Sequence, residues 1–212
     1  MDLNAIRTAV IEGNALAVEN GVKEALEAKI SAESILIEAL VPAMDEVGKR
    51  FEAGDFFVPE MLIAARAMKT GIALLRPLLA ELGVEPVGKV VIGTVKGDLH
   101  DIGKNLVGLM LEGAGFEVID VGTDVSIETF VEAVQREEPH LLGMSALLTT
   151  TMPSAAEVIK ALSDAGLRDK VKVLFGGAPV TEAFTEQIGA DGYAPDAAAA
   201  VTKAKDLLGV TN

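Results

Sequence analysis

The segment Asp98-Leu99-His100-Asp101-Ile102-Gly103 is the part of this chain best suited to chemistry. A carboxylate two residues from an imidazole can hold one ring nitrogen and leave the other free as a base or metal ligand. The stretch from Gly97 to Asn105 follows an apolar run, Lys89 to Val95, that reads as a buried strand, and precedes Leu106 to Ala114, which reads as a helix. Asp98, His100 and Gly103 are therefore expected on the loop leaving the carboxyl end of a strand, where open α/β sheets place their ligands. The chain has no cysteine and one other histidine, His140. A metal at His100 would draw the rest of its coordination sphere from something other than protein. His140, after Pro139 and just before a strand, reads as a plain loop residue.

Two further marks fall at strand ends. Ser145-Ala146-Leu147 follows Gly103 with 41 residues between, and Gly176-Gly177 follows Leu147 with 28 residues between. A serine at a strand end can donate a hydrogen bond into the crevice beyond the sheet. A glycine pair there lets a ligand approach the backbone closely. Plainer roles stay open: Ser145 and Thr149 to Thr151 as helix-start residues, and the glycine pair as a turn. A phosphate loop over Gly97–Gly103 is disfavoured, because the Gly-Lys-Ser/Thr ending and the dinucleotide glycine spacing are both missing.

The elements that must position these marks follow from pattern. Up to Gly83 the chain shows helices and no strand signal: residues 3–12, Ala15 to Ala28, and a helix capped by Ser31 that ends before Gly54. A fourth helix has Pro59 in its first turn, and Pro77 in its later part predicts a kink or break. Four such helices make a small bundle. Gly83-Val84-Glu85-Pro86-Val87-Gly88 reads as a linker, so the expected domains are 1–83 and 89–212, joined by 84–88. From Lys89 onward strand and helix candidates alternate. The strands are Val90–Val95, Glu117–Val121, Leu141–Ser145, Val171–Phe175 and Gly192–Ala194. The helices are Ile102–Ala114, Ile127–Glu137, Ser154–Ala165, Val180–Ile188 and Ala197–Leu208. Five βα units predict a Rossmann-like, five-stranded parallel sheet with helices on both faces, in the flavodoxin-like order.

Composition narrows the function. Aromatic residues make up only 4% and tryptophan is absent, so the core is built from Ala, Val, Leu and Ile, which suits helices and a parallel sheet. The net charge is −14, distributed as −5 over residues 1–83 and −9 over the rest. Two acidic domains argue against nucleic acid and anionic membrane as partners. No apolar run reaches the length of a membrane span, the amino terminus lacks signal-peptide features, and the lack of cysteine suits a reducing cytoplasm.

Taken together, Asp98-x-His100-x-x-Gly103, Ser145-x-Leu147 and Gly176-Gly177 resemble the signature of cobalamin-binding domains. Val41-Pro42-Ala43-Met44-Asp45-Glu46-Val47-Gly48 and Phe57-Val58-Pro59-Glu60-Met61 resemble the helical cap of the same family. The chain is similar to the cap and cobalamin-binding domains of cobalamin-dependent methionine synthase, and to stand-alone corrinoid proteins of methyltransferase systems. The resemblance implies cobalamin or a related corrinoid, as methylcobalamin and its Co(I) and Co(II) forms, bound base-off with His100 as the lower axial cobalt ligand. Asp98 and Thr151 would complete a relay behind His100. Thr151 stands where the methionine synthase relatives have serine and is stiffer at χ1. Leu99, Asp101, Ile102 and Gly103 would flank the ligand loop. Ser145, Leu147, Gly176 and Gly177 would line the slot for the displaced nucleotide tail, with Thr149 and the turn Tyr193-Ala194-Pro195-Asp196 nearby. Phe57 and Met61 would cover the methyl face.

The implied function is a methyl carrier in one-carbon metabolism, without a catalytic residue of its own. It would work between a donor methyltransferase and an acceptor methyltransferase with a folate or thiol acceptor, and be restored by a reductive activase. Methanol, methylamines, betaines and aryl methyl ethers all stay open as donors. The rival readings are a cobalamin-dependent sensor or regulator, which would normally carry a DNA-binding or signalling segment, and the cobalamin-binding subunit of a carbon-skeleton mutase, which generally lacks such a cap.

Overall fold

A computed structural model describes residues 2–210. Met1, Thr211 and Asn212, which the sequence reading assigns to the outer ends of the two domains, lie outside the described residues. Two compact units divide the chain between Pro86 and Val87, with residues 112–115 grouped with the first.

The first unit is helical. Its helices are α1 (Leu3–Ile11), α2 (Ala15–Glu27), α3 (Ala32–Ile35), α4 (Val41–Glu52) and α5 (Val58–Glu81). The side chains of Asp2, Asn14 and Ser31 each accept a backbone N–H from the first turn of α1, α2 and α3. These bonds satisfy donors that a helix start otherwise leaves orphaned. Helices α3 and α4 form one rod joined by a π-helical turn, Leu36–Leu40, immediately before Pro42. Proline has no N–H to give to the carbonyl four residues back, and the wider turn places that gap where the ladder is already rearranged. Glu60 accepts the Phe57 N–H and opens α5. Of the kink or break expected at Pro77, the break is absent: α5 runs on to Glu81. Buried Met68, Gly71 and Leu75 fix the turns before it, and Pro77 itself faces solvent.

The second unit is a five-stranded, all-parallel sheet in the order β2-β1-β3-β4-β5. The strands are β1 (Lys89–Thr94), β2 (Glu117–Asp120), β3 (Leu141–Ser145), β4 (Lys172–Gly176) and β5 (Gly192–Ala194). The connecting helices are α6 (Ile102–Gly113), α7 (Ile127–Glu137), α8 (Pro153–Asp164), α9 (Glu182–Gln187) and α10 (Ala197–Leu208). A short 3-10 turn, Arg168–Lys170, precedes β4. Alternate strand residues Val91, Leu142, Met144, Val173 and Phe175 join residues of α7 and α8 in one core. The intervening Val90, Ile92, Leu141 and Leu174 are buried on the opposite face. A parallel sheet covered on both faces makes its strands near-continuous apolar runs, which is why they stand out in the sequence.

Two loop assignments change. Helix α6 begins at Ile102, as the candidate Ile102–Ala114 has it, so Gly103 sits in its first turn and not on the loop leaving β1. Tyr193 and Ala194 belong to β5 and Asp196 caps α10, so that segment is a strand end and a helix cap, not a turn.

Replacing Pro77 with Ala is expected to stabilise the protein, because it restores a donor for the Ala73 carbonyl in an exposed helical turn. The gain should be roughly 1–3 kcal/mol, read as a higher urea midpoint at unchanged slope.

Candidate functional site

The strand register brings the sequence marks together. Thr94 pairs with Ser145, Ser145 with Gly176, and Gly176 with Ala194, so the carboxyl ends of β1, β3, β4 and β5 form one row. In this strand order β1 and β3 flank the point where the connections reverse direction, leaving a crevice between the loops above them. Asp98, His100, Leu147 and Thr151 all come from those two loops.

The Asp98 carboxylate is the centre of the arrangement, and its side chain is fully buried. Its Oδ1 accepts the His100 backbone N–H at 3.0 Å and faces the His100 Nδ1 at 2.7 Å. Its Oδ2 accepts the N–H groups of Leu147 and Leu148 at 2.8 and 3.2 Å, and lies 2.8 Å from the Thr151 hydroxyl. The Thr151 oxygen is also 2.8 Å from the Leu148 carbonyl, so its one proton serves two acceptors. Burial pushes the Asp98 proton affinity up, but the bonds from Leu147, His100 and Thr151 outweigh it and hold the carboxyl well below the usual range. Asp98 is therefore an anion that only accepts. The proton in the short contact belongs to His100 Nδ1, so Nε2 is the ring nitrogen that Asp98 does not engage. The His100 side chain is 51% exposed.

The loop carrying His100 is tied on all sides. Asp98 N–H donates to the Val95 carbonyl, with Gly97 between them at a φ of +82°, a turn geometry that favours glycine. Thr94 Oγ1 donates to the His100 carbonyl at 2.9 Å, and Gly97 N–H donates to Asp124 Oδ1 at 2.7 Å. In the first turn of α6, buried Lys104 donates to Asp120 at the end of β2 and to Asn105. Thr94, Lys104 and Asp124 were not picked out from sequence. A lone threonine closing an otherwise apolar strand and a lysine on a buried helix turn were the available signals; for Asp124 there was none.

Other expected residues take varied places. Leu99, Leu147 and Leu148 on the two loops, and Ile102 at the start of α6, are exposed apolar side chains. Asp101 is exposed and accepts from Asn105 rather than from the relay. The Ser145 hydroxyl is half-buried and has no hydrogen-bond partner among the described residues. Thr149 is exposed. Helix α8 starts at Pro153 with no side-chain cap, so Thr151 spends its hydroxyl on the relay and not on the helix start. Gly177 has a φ of +132°, and a Cβ there would lie 1.9 Å from the Ala146 carbonyl oxygen, so the loops after β3 and β4 meet backbone to backbone. The Tyr193 ring packs against the core of the second unit. Met61 is fully buried, whereas Phe57 is 65% exposed. His140 stays outside the site: its Nδ1 accepts the Lys89 N–H at the opposite edge of the sheet.

A corrin macrocycle fits these residues on three grounds. No group of three or more His, Asp or Glu side chains among the described residues could hold a bare metal ion, so a metal at His100 must bring its own equatorial ligands. The exposed leucines and isoleucine beside His100 offer an apolar bed. A Cβ at Gly103 would meet no protein atom within 4 Å, so the protein's own packing leaves open space beside the His100 loop.

A parallel sheet whose switch-point loops present one carboxylate-backed histidine, with a helical unit ahead of it, defines a corrinoid-binding protein. The chain belongs to the B12-binding family: it matches a B12 binding domain over residues 88–202 and a second B12 binding domain over residues 2–76. It is a corrinoid protein of the methyltransferase type. It is 51% identical to dimethylamine corrinoid protein 3 of Methanosarcina mazei over 166 residues, covering 78% of this chain and 99% of that protein. A cobalamin-binding protein of Desulfitobacterium hafniense superposes with a TM-score of 0.81 at 33% identity, covering 98% of each chain. A chain of the methanol:cobalamin methyltransferase complex of Methanosarcina barkeri superposes with a TM-score of 0.87 at 33% identity, covering 99% of this chain and 80% of that one.

Two outcomes follow from the geometry. Asp98→Asn must turn an amide N–H₂ toward existing donors, so the corrinoid-free protein should lose about 3 kcal/mol near pH 7 by urea denaturation. Because folding lowers the Asp98 proton affinity, its contribution is complete above about pH 4 and fades as pH falls further. The gap between wild type and Asp98→Asn should therefore narrow in acid. Gly103→Ala should stabilise the corrinoid-free protein by roughly 0.5–1 kcal/mol while weakening corrinoid binding, read by denaturation and by absorbance titration.

Proposed function

We propose that this chain is a methyl carrier that binds its corrinoid base-off with His100 Nε2 as the lower axial ligand. The observation that carries the reading is the bond from His100 Nδ1 to a buried carboxylate already saturated by backbone and hydroxyl donors, which leaves Nε2 as the free nitrogen on the open edge of the sheet. When bound, the corrinoid supplies a cobalt centre that can accept a methyl group from a donor and release it to an acceptor.

The chain's own residues have three tasks. Asp98 fixes the tautomer and tilt of His100 and strengthens Nε2 as a donor; Thr151, behind it, biases how much negative charge Asp98 shares with the ring. Ser145, with its free hydroxyl, and the backbone of Gly176 and Gly177 are suited to hold the displaced nucleotide tail, with Thr149 and the Tyr193 strand end as neighbours. The helical unit, as a domain of residues 1–83 on the linker 84–88, covers the methyl face, with exposed Phe57 the better-suited of the two cover residues. Giving a partner enzyme access to the methyl group then requires the unit to move about that linker.

The proposed partners are a donor methyltransferase, an acceptor methyltransferase using a folate or a thiol, and a reductive activase, in the cytoplasm. No helix among the described residues is long and apolar enough to cross a membrane. The match to a B12 binding domain over residues 2–76 supports the carrier over the mutase subunit, and the relatives named as corrinoid proteins support it over a sensor. A methylamine donor, dimethylamine first, is favoured over methanol by the higher identity to the dimethylamine protein.

Electron paramagnetic resonance of the Co(II) form tests the ligation. Wild type should show axial nitrogen splitting and His100→Ala should lose it; a spectrum unchanged by the substitution would refute the assignment. Incubating the loaded protein with purified dimethylamine and methanol donor enzymes tests the donor, with methylation expected from the dimethylamine enzyme.

A further inference from the structure

The ring of His100 is held by Asp98, but a ring can be aimed only as well as the backbone that carries it. Residues 95–101 contain no helix or strand. Asp98 and His100 are separated only by Leu99, which is 73% exposed and gives the loop little packing of its own. The carbonyls on either side of Leu99 are nevertheless both held. The Asp98 carbonyl accepts the Asp124 backbone N–H at 2.9 Å. The His100 carbonyl accepts the Thr94 hydroxyl at 2.9 Å.

Both holders are themselves anchored. Thr94 is fully buried, its N–H donates to the Gly122 carbonyl, and its own carbonyl accepts from Val125 N–H. Its hydroxyl therefore projects from a strand end fixed on the side of β2, and its branched Cβ restricts the rotamers open to it. Asp124 has a φ of +50°, a left-handed conformation uncommon for a residue other than glycine. Such strain persists where surrounding bonds over-determine it. Here the same residue uses its side chain on Gly97 N–H, at 2.7 Å, and its backbone N–H on Asp98. Those two bonds span the turn that leads into His100.

We infer that Thr94 and Asp124 form a backbone clamp that presents His100 in its ligating position. They are positioning residues, outside the Asp98–Thr151 relay and outside the family signature, and the inference rests on the reading of His100 as the cobalt ligand. Asp98 sets the orientation of the ring within the loop; the clamp sets the loop itself. Without it, Leu99 becomes a hinge and His100 can leave the cobalt while the nucleotide tail stays bound.

The test uses the full chain and paired variants. Thr94→Val removes the hydroxyl at nearly constant shape, and Thr94→Ser restores it. Asp124→Gly keeps the positive φ and removes the acceptor, and Asp124→Asn keeps both. In the corrinoid-free protein, amide hydrogen exchange at His100 and Leu147 should quicken about tenfold in Thr94→Val and Asp124→Gly, the loss of roughly one hydrogen bond, and stay within about twofold in Thr94→Ser and Asp124→Asn. In the cobalamin-loaded protein, the Co(II) spectrum of Thr94→Val and Asp124→Gly should show a His-off fraction about tenfold above wild type, with cobalamin still bound. Exchange and spectra matching wild type in both deletion variants would overturn the clamp, as would faster exchange with an unchanged spectrum. If His100→Ala keeps the nitrogen splitting, the ligand reading falls and the clamp with it; if only His100→Ala loses it, the clamp alone falls. Should Thr94→Val fail to fold, the exposed Asp124 pair decides.

Discussion

The site depends on one buried carboxylate. Taking an anion out of water costs several kcal/mol unless donors replace the solvent. At Asp98 they do: two N–H groups of the loop after β3 and the Thr151 hydroxyl meet one oxygen, and the backbone and ring of His100 meet the other. Charge-assisted bonds of this kind are about twice as strong as neutral ones. The same atoms perform two functions. They join the loops above β1 and β3, and they fix which nitrogen of His100 carries a proton.

The sheet makes that junction possible. In a doubly wound parallel sheet, the connections leave the strand on which the order reverses in opposite directions, so the loops above neighbouring β1 and β3 are not bridged by a common helix. Asp98 crosses that gap. The row formed by Thr94, Ser145, Gly176 and Ala194 supplies a level edge, and the close contact of Gly177 with Ala146 keeps side chains out of the adjoining part. The result is one imidazole held from behind, exposed apolar side chains on the same loops, and backbone without side chains along the adjoining edge.

The helical unit follows a different logic. It has its own caps, its own π turn ahead of Pro42, and its own buried methionines and alanines. The acidic character of both parts suits docking onto basic partner surfaces, where complementary charge speeds association.

Much is legible in the sequence alone. The apolar runs of β3 and β5 and the periodicity of α7 and α10 gave boundaries that match the structure residue for residue. Buried parallel strands and amphipathic helices write their periods directly into the order of side chains. Asp98, His100, Ser145 and Gly176 were visible as residue types at strand ends. What sequence could not decide was set by contacts between segments distant in the chain. Thr151 could have been a helix cap, and only its 2.8 Å approach to Asp98, 53 residues away, makes it part of the relay. Pro77 carries a strong local signal to break a helix, and packing of the turns before it overrules that signal. Asp124 has no local pattern at all; it matters because β2 lies beside β1, which brings its loop to Gly97 and Asp98. Residue type and period are properties of the chain and marked out the elements and His100. Hydrogen bonds between loops exist only once the strands are paired, so the tertiary structure alone decided which groups hold that residue in place.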